Sequence, residues 1–305
     1  MLFFPYRPDI YYKKFPILTN LVIAACIFLF YTQQQSIADH SEHTRLFCAD
    51  KFERDIVLLF NKISETNPDG ACVYVLDKLH QSGHNEPIID EIINQLPPYK
   101  MLGHEESIEF NTKALTTVYN KYRETAPESI LSKITYDPKS LNPFNMIVPS
   151  FSHGDIFHLV GNLLFFYAFS ITVELVLGFW LYLFSFTLIG VGSYLFYALL
   201  SLNDPLALPT LGLSGIVMGM MALKAYLTPG VRIKCFFWFL IFFKRFFIPA
   251  WLLAIWYIGW DSLYLVTDSG SPQVNIAAHV GGAITAMIVA LLFFRKIKLE
   301  IANNY

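Results

Sequence analysis

Long apolar runs constrain this chain more than any other feature of its sequence. Each run is about 17 to 25 residues long, the length that an α-helix needs to cross a bilayer. With 54% hydrophobic and only 15% charged residues, the composition is also more apolar than that of ordinary globular proteins. We therefore predict an all-α polytopic membrane protein with six transmembrane helices. The six runs are residues 15–31, 158–177, 179–200, 210–227, 246–266 and 277–294.

A seventh apolar stretch, residues 235–243, lies between basic residues. It is too short to span a bilayer. We interpret it as an interfacial or re-entrant segment that lies on the membrane surface.

Lys and Arg residues are placed asymmetrically around these runs. They precede the first run, surround the link between the fourth and fifth, and follow the last, whereas the short links at 201–209 and 267–276 contain none. Because short cytoplasmic segments are enriched in Lys and Arg, we predict that both termini are cytoplasmic. An uncleaved first span fits better than a signal peptide, and a bacterial inner membrane is the default location.

The segment between the first two runs differs in kind from the rest. It is polar and charged, with helical-looking stretches at residues 51–64 and 86–95, so we predict an extracytoplasmic domain or loop over 32–142. Cys48 and Cys72 lie in this segment. They could form a disulfide in an oxidising compartment, but an even count of two leaves the pairing open.

Ser214 and His279 are the strongest functional clue in the sequence. Ser214 lies in Gly212-Leu213-Ser214-Gly215, near the outer end of the fourth run, and His279 lies at a similar depth in the sixth. Polar side chains are costly in lipid unless they have a function. If the two helices touch, the imidazole can accept the serine proton and generate a nucleophile.

Small residues give these two helices a means to touch. Gly215 and Gly219 are four apart in the fourth run, and Gly282 with Ala286 follows His279 on one face of the sixth. The soluble motif Gly-x-Ser-x-Gly is not matched, so an α/β-hydrolase is excluded. A catalytic site inside the membrane is the remaining catalytic option.

A second pair of polar residues opens the second run. His158 and Asn162 are four apart and share a helix face at the same outer level. Their side-chain donors, with the backbone N–H of Ser214, could stabilise the oxyanion formed when Ser214 attacks a carbonyl. The alternative is a pair that caps the helix and holds the preceding loop.

Together, these motifs resemble those of the rhomboid family of intramembrane serine proteases. The His-x-x-x-Asn of span two, the Gly-x-Ser-Gly of span four and the Ala-His-x-x-Gly of span six occur in order. The resemblance implies that Ser214 is the nucleophile, His279 the general base of a dyad, and His158 with Asn162 the oxyanion stabilisers. It covers roughly residues 142–295. Two positions depart from the family: Ala286 stands where the family usually has a second glycine, and Ser170 replaces another common glycine.

The resulting division of the chain has five parts. Residues 1–14 are a cytoplasmic N-terminus, 15–31 the first transmembrane helix, 32–142 the extracytoplasmic domain, 143–295 the rhomboid catalytic core with helices two to six, and 296–305 a cytoplasmic tail.

Three further polar residues receive non-catalytic interpretations. Asp261, near the outer end of span five, could orient His279 as a third member, but the resemblance implies a dyad. We therefore interpret Asp261 as forming an interfacial hydrogen bond near the substrate gate. Glu174 lies about 24 Å deeper than His158 by helical rise, and we expect it to pair with a basic residue on the cytoplasmic side. His153 could anchor its loop or support the site.

The predicted function is therefore a serine endopeptidase that cleaves transmembrane segments of membrane proteins within the lipid bilayer. Neither a cofactor nor a metal is implied, and no nucleic acid is an expected partner. The alternative is a non-proteolytic rhomboid-like adaptor or chaperone that binds transmembrane clients, although the presence of both Ser214 and His279 argues against it. A transporter is less consistent, because the sequence shows neither paired charges at mid-membrane nor a repeated half.

Overall fold

A computed structural model describes residues 2–9, 15–50, 54–64, 66–81, 86–99, 101–128, 130–204, 207–239, 242–267 and 274–303. In chain order the elements are β1 (Leu2–Pro8), α1 (Ile17–Ala49), α2 (Arg54–Ile63), α3 (Pro68–Gln81), α4 (Glu86–Asn94), α5 (His104–Thr125), α6 (Ile130–Ile134), α7 (Pro143–Ile147), a 3₁₀ turn (Val148–Phe151), α8 (Ile156–Leu200), α9 (Ser214–Leu227), β2 (Arg232–Phe239), β3 (Phe242–Pro249), α10 (Ala250–Thr267), α11 (Ile276–Phe293) and α12 (Arg295–Asn303).

The chain forms two compact units. The first, here called the membrane unit, consists of Met1–Tyr31 and Leu131–Tyr305, and the second, the polar unit, is Thr32–Ile130. Helix α1 is continuous from Ile17 to Ala49, so no break in the helix marks the end of the predicted first span at residue 31.

Apolar helices long enough to cross a membrane are present, as expected. Among the described residues, α1, α8 and α11 meet that criterion of length and composition, and α9 is a shorter apolar helix. By length and composition, these helices are suited to a lipid bilayer.

Helix α8 is two helices joined at one glycine. Gly178 has φ 72° and ψ 176°, a backbone conformation that interrupts the helix and that a residue without Cβ adopts readily. The predicted runs 158–177 and 179–200 therefore correspond to the two halves of α8.

The core of the membrane unit lies where α8, α9 and α11 pack together. Phe166, Ile189, Met220 and Ala286 are fully buried in it. These residues come from both halves of α8 and from the two helices that carry Ser214 and His279. The core thus fixes the positions of the elements on which the predicted site depends.

Glu174 contacts the start of α1. Its carboxylate accepts hydrogen bonds from the backbone N–H groups of Leu18 and Thr19, both at 2.8 Å, and from the Thr19 hydroxyl at 2.7 Å. The expectation that Glu174 pairs with a basic side chain is therefore wrong. The first N–H groups of a helix have no partner within the helix and carry partial positive charge, so they satisfy a buried carboxylate.

Of the segment 235–243, residues 235–239 belong to strand β2 and residues 242–243 to strand β3, and its interfacial or re-entrant location stays a prediction. Strands β2 and β3 pair antiparallel, and β1 pairs antiparallel with β2, giving the order β1-β2-β3. Ile233 and Cys235 are buried whereas Arg232 is exposed, which is the two-residue alternation of a strand with one face on a core. The hairpin continues to Pro249, so helix α10 begins at Ala250 rather than at residue 246.

The polar unit has a hydrophobic core of its own. Leu59, Leu76 and Leu115 are fully buried and come from α2, α3 and α5. Cys48 and Cys72 form a disulfide across a sequence separation of 24 residues. The pairing that the sequence left open is therefore present in the structure.

Candidate active site

Ser214 is the first residue of α9, and the loop before it is held in place by its neighbours. Gly212 has φ +122°, a value that side-chain-bearing residues rarely adopt. Its N–H donates to the carbonyl of Pro149 at 3.0 Å, and its carbonyl accepts from the hydroxyl of Tyr194 at 3.1 Å. The entry to α9 is thus fixed on both sides of the Gly212 backbone.

Helices α9 and α11 touch through their backbones. A Cβ on Gly215 would lie 3.0 Å from the carbonyl oxygen of Ala278, and a Cβ on Gly282 would collide with the carbonyl oxygen of Gly215. Farther along, a Cβ on Gly219 would lie 3.0 Å from the Gly282 carbonyl oxygen.

This contact sets the level of the two predicted catalytic residues. Ser214 precedes Gly215, and His279 follows Ala278, so the two side chains start from adjacent positions of touching helices. The hydroxyl of Ser193, on α8, donates to the Ala278 carbonyl at 2.7 Å and adds α8 to the same junction.

His158 and Asn162 converge on the loop that leads into α9. A Cβ on Gly212 would lie 3.0 Å from both Cε1 and Nε2 of His158 and 3.7 Å from Nδ2 of Asn162. Among the described residues, none accepts a hydrogen bond from the buried Nδ2 of Asn162. The pair therefore presents side-chain nitrogens two residues from Ser214, and the Asn162 donor has unused hydrogen-bonding capacity.

The first turn of α8 is held by two residues outside the helix. The Asp155 carboxylate accepts from the backbone N–H groups of Phe157 and His158, which caps the helix. The buried ring of His153 packs edge-on against that of His158, with 5.2 Å between centroids. Burial, with a smaller contribution from His158, lowers the pKa of His153 to about 4, so the supporting ring is neutral at pH 7.

Asp261 contacts His279 directly. Its Oδ2 lies 2.7 Å from Nδ1 of His279. The interpretation of Asp261 as an interfacial residue apart from the dyad is therefore wrong. Asp261 lies in the last two turns of α10 and His279 in the first turn of α11, and the contact joins these two helix ends. The signal in the sequence for this contact was a single carboxylate, that of Asp261, one or two helical turns before the end of α10.

The arrangement thus puts Ser214 and His279 on touching helices, gives the imidazole a carboxylate partner, and adds two side chains with nitrogen donors near Gly212. Within the described ranges, no group of three or more His, Cys, Asp and Glu side chains is placed to hold a metal ion. Such a set can form a nucleophile, transfer its proton and stabilise a developing negative charge.

Comparison with known proteins agrees with this architecture. Residues 141–296, just over half of the chain, match the family model described as Rhomboid domain. The chain is 30% identical over 164 residues to RHOMBOID-like protein 12, mitochondrial, of Arabidopsis thaliana. That alignment covers 49% of this chain and 46% of the relative, so the chain spans about half the length of the curated relative it matches. No solved structure matches the chain significantly.

Proposed function

The chain belongs to the rhomboid family, and from that premise we propose that it is an intramembrane serine endopeptidase that cleaves transmembrane segments of other membrane proteins. One observation carries the proposal. The backbone contact between Gly215 and Ala278 supports it, because Ser214 and His279 are the chain neighbours of these two residues, and the nitrogens of His158 and Asn162 lie near Gly212.

The proposed chemistry assigns one role to each of these residues. The proton of the Ser214 hydroxyl moves to Nε2 of His279 while Oγ bonds to the carbonyl carbon of the scissile peptide, whose π electron pair moves to its oxygen. His158, Asn162 and the Ser214 N–H stabilise that oxyanion. The carbonyl re-forms as the C–N bond breaks, and the Nε2 proton passes to the leaving amine. Water then hydrolyses the acyl-enzyme by the same transfers.

The proposed topology has six spans, both termini in the cytoplasm, and residues 32–142 on the opposite side. Water would reach Ser214 from that outer side. A substrate helix would enter sideways and unwind locally, because an intact helix satisfies its carbonyls internally. Helix-destabilising residues in the substrate should therefore accelerate cleavage.

The direct test is labelling with a fluorophosphonate probe, together with cleavage of a model transmembrane substrate. We expect the wild-type protein to be labelled and Ser214→Ala to be unlabelled and inactive, because the probe reacts with an activated serine. Ser185→Ala is the matched control, since Ser185 is another buried membrane-helix serine, bonded to the Leu181 carbonyl. It should behave as wild type.

Equal labelling of the wild type and Ser214→Ala, with the substrate uncleaved, would contradict the protease assignment. That outcome would favour an adaptor that binds transmembrane clients without cutting them.

A further inference from the structure

The contact between Asp261 and His279 links two helices at the proposed site. Asp261 lies on α10 and His279 on α11, and Oδ2 and Nδ1 are 2.7 Å apart. The two side chains are only 18% and 12% exposed. A short contact between an imidazole nitrogen and a carboxylate, largely shielded from water, is a strong charge-assisted hydrogen bond.

This contact determines which imidazole nitrogen carries the proton. A carboxylate oxygen only accepts, so Nδ1 of His279 must be the donor in this bond. In the neutral ring, Nε2 then bears the lone pair. That is the nitrogen to which the proposed mechanism assigns the proton of Ser214.

We propose that Asp261 is a positioning residue that fixes the tautomer of His279 and stabilises its protonated form. The inference rests on the proposed function. When the Ser214 proton reaches Nε2, the ring becomes an imidazolium, and the ionised Asp261 offsets its positive charge. The Nδ1 proton stays on the ring and Asp261 remains a carboxylate, so no proton passes between His279 and Asp261.

Among the residues that the structure describes, Asp261 is the carboxylate that contacts the ring of His279. From α8, His158 is a titratable neighbour of His279. Beyond His158 lie His153 and Asp155, and Asp155 is engaged in capping α8. The adjacent start of α9 supplies the uncharged Ser214. The basic residues of α12 follow the other end of α11, about 24 Å away by helical rise.

The test is Asp261→Asn in the full-length protein, with cleavage and fluorophosphonate labelling rates measured across pH. We expect the rate at neutral pH to fall by roughly 100-fold or more, because an amide can donate to Nδ1 and favour the wrong tautomer. Asp9→Asn is the matched control, because Asp9 pairs with Lys234 in the strand region, and it should leave both readouts unchanged.

A second variant separates positioning from folding. Asp261→Glu keeps the charge and the ability to accept from Nδ1 but changes the length of the side chain, so it should recover part of the rate that Asp261→Asn loses. A wild-type rate and profile in Asp261→Asn, with labelling still lost in Ser214→Ala, would overturn the inference and leave the proposed function standing. Equal loss of thermal stability and of activity in Asp261→Asn and Asp261→Glu, with no recovery of the rate by the carboxylate, would show a structural role and also overturn it. Labelling that survives Ser214→Ala would instead overturn the proposed function.

Discussion

A side chain at position 212 would crowd the ring of His158. Gly212 has φ +122°, and an added Cβ would lie 3.0 Å from two ring atoms of His158. Gly212→Ala should therefore cost about 1–3 kcal/mol in backbone strain and displace His158. We expect at least a tenfold loss of cleavage, which rate measurements on purified protein would detect.

The matched control for Gly212→Ala is Gly161→Ala. Gly161 precedes Asn162, and an added Cβ there meets no atom within 4 Å. The control should keep its activity, and full activity in Gly212→Ala would show that the 212 backbone does not set the position of His158.

At the scale of residues, the sequence predicted how far along its helix a side chain lies, but not the direction in which that side chain points. The motifs placed Ser214 and His279 at one level, since 1.5 Å of rise per residue converts position into depth. The partners of Asp261 and Glu174 were assigned wrongly. A helix presents several faces at each depth, and which face meets a neighbour depends on how the helices rotate as they pack. Single acidic residues carry no repeat from which that rotation can be inferred.

The packing of α9 against α11 is the element-scale feature on which the proposed site depends. A Cβ on Gly282 would collide with the Gly215 carbonyl, which is backbone and cannot turn aside as a side chain can. Gly282→Ala should therefore force the helices apart, at about 1–3 kcal/mol for overpacking, and separate Ser214 from His279. We expect both a lower Tm and a much slower fluorophosphonate reaction.

Gly259→Ala provides the comparison, because Gly259 lies in α10 and an added Cβ there meets no atom within 4 Å. It should leave Tm and labelling unchanged. Wild-type labelling in Gly282→Ala would mean that the helix contact is not needed to bring Ser214 to His279.

Apolar runs in the sequence predicted the long helices well but did not predict the three-stranded sheet. Run length and hydropathy anticipated α1, α8 and α11 because they respond to the bilayer. The aromatic segment at residues 232–249 is also apolar, but its pairing partner β1 lies more than 220 positions earlier in the chain. Hydropathy contains no record of such a long-range pairing, so the hairpin and its third strand were not foreseen.

For the whole molecule, the two units have separate hydrophobic cores, and the disulfide lies within the polar unit. The pair Cys48→Ser with Cys72→Ser should destabilise the polar unit by about 3 kcal/mol, because the bond restricts the unfolded chain. Amide hydrogen exchange of α3 and α5 should quicken accordingly. Labelling of Ser214 should persist, since the core around α8, α9 and α11 contains neither Cys48 nor Cys72.

Replacing the buried free thiols Cys26 and Cys235 by alanine is the control and should leave exchange in α3 and α5 unchanged. Unchanged exchange after loss of the disulfide would show that the core around Leu59, Leu76 and Leu115 holds the polar unit without it.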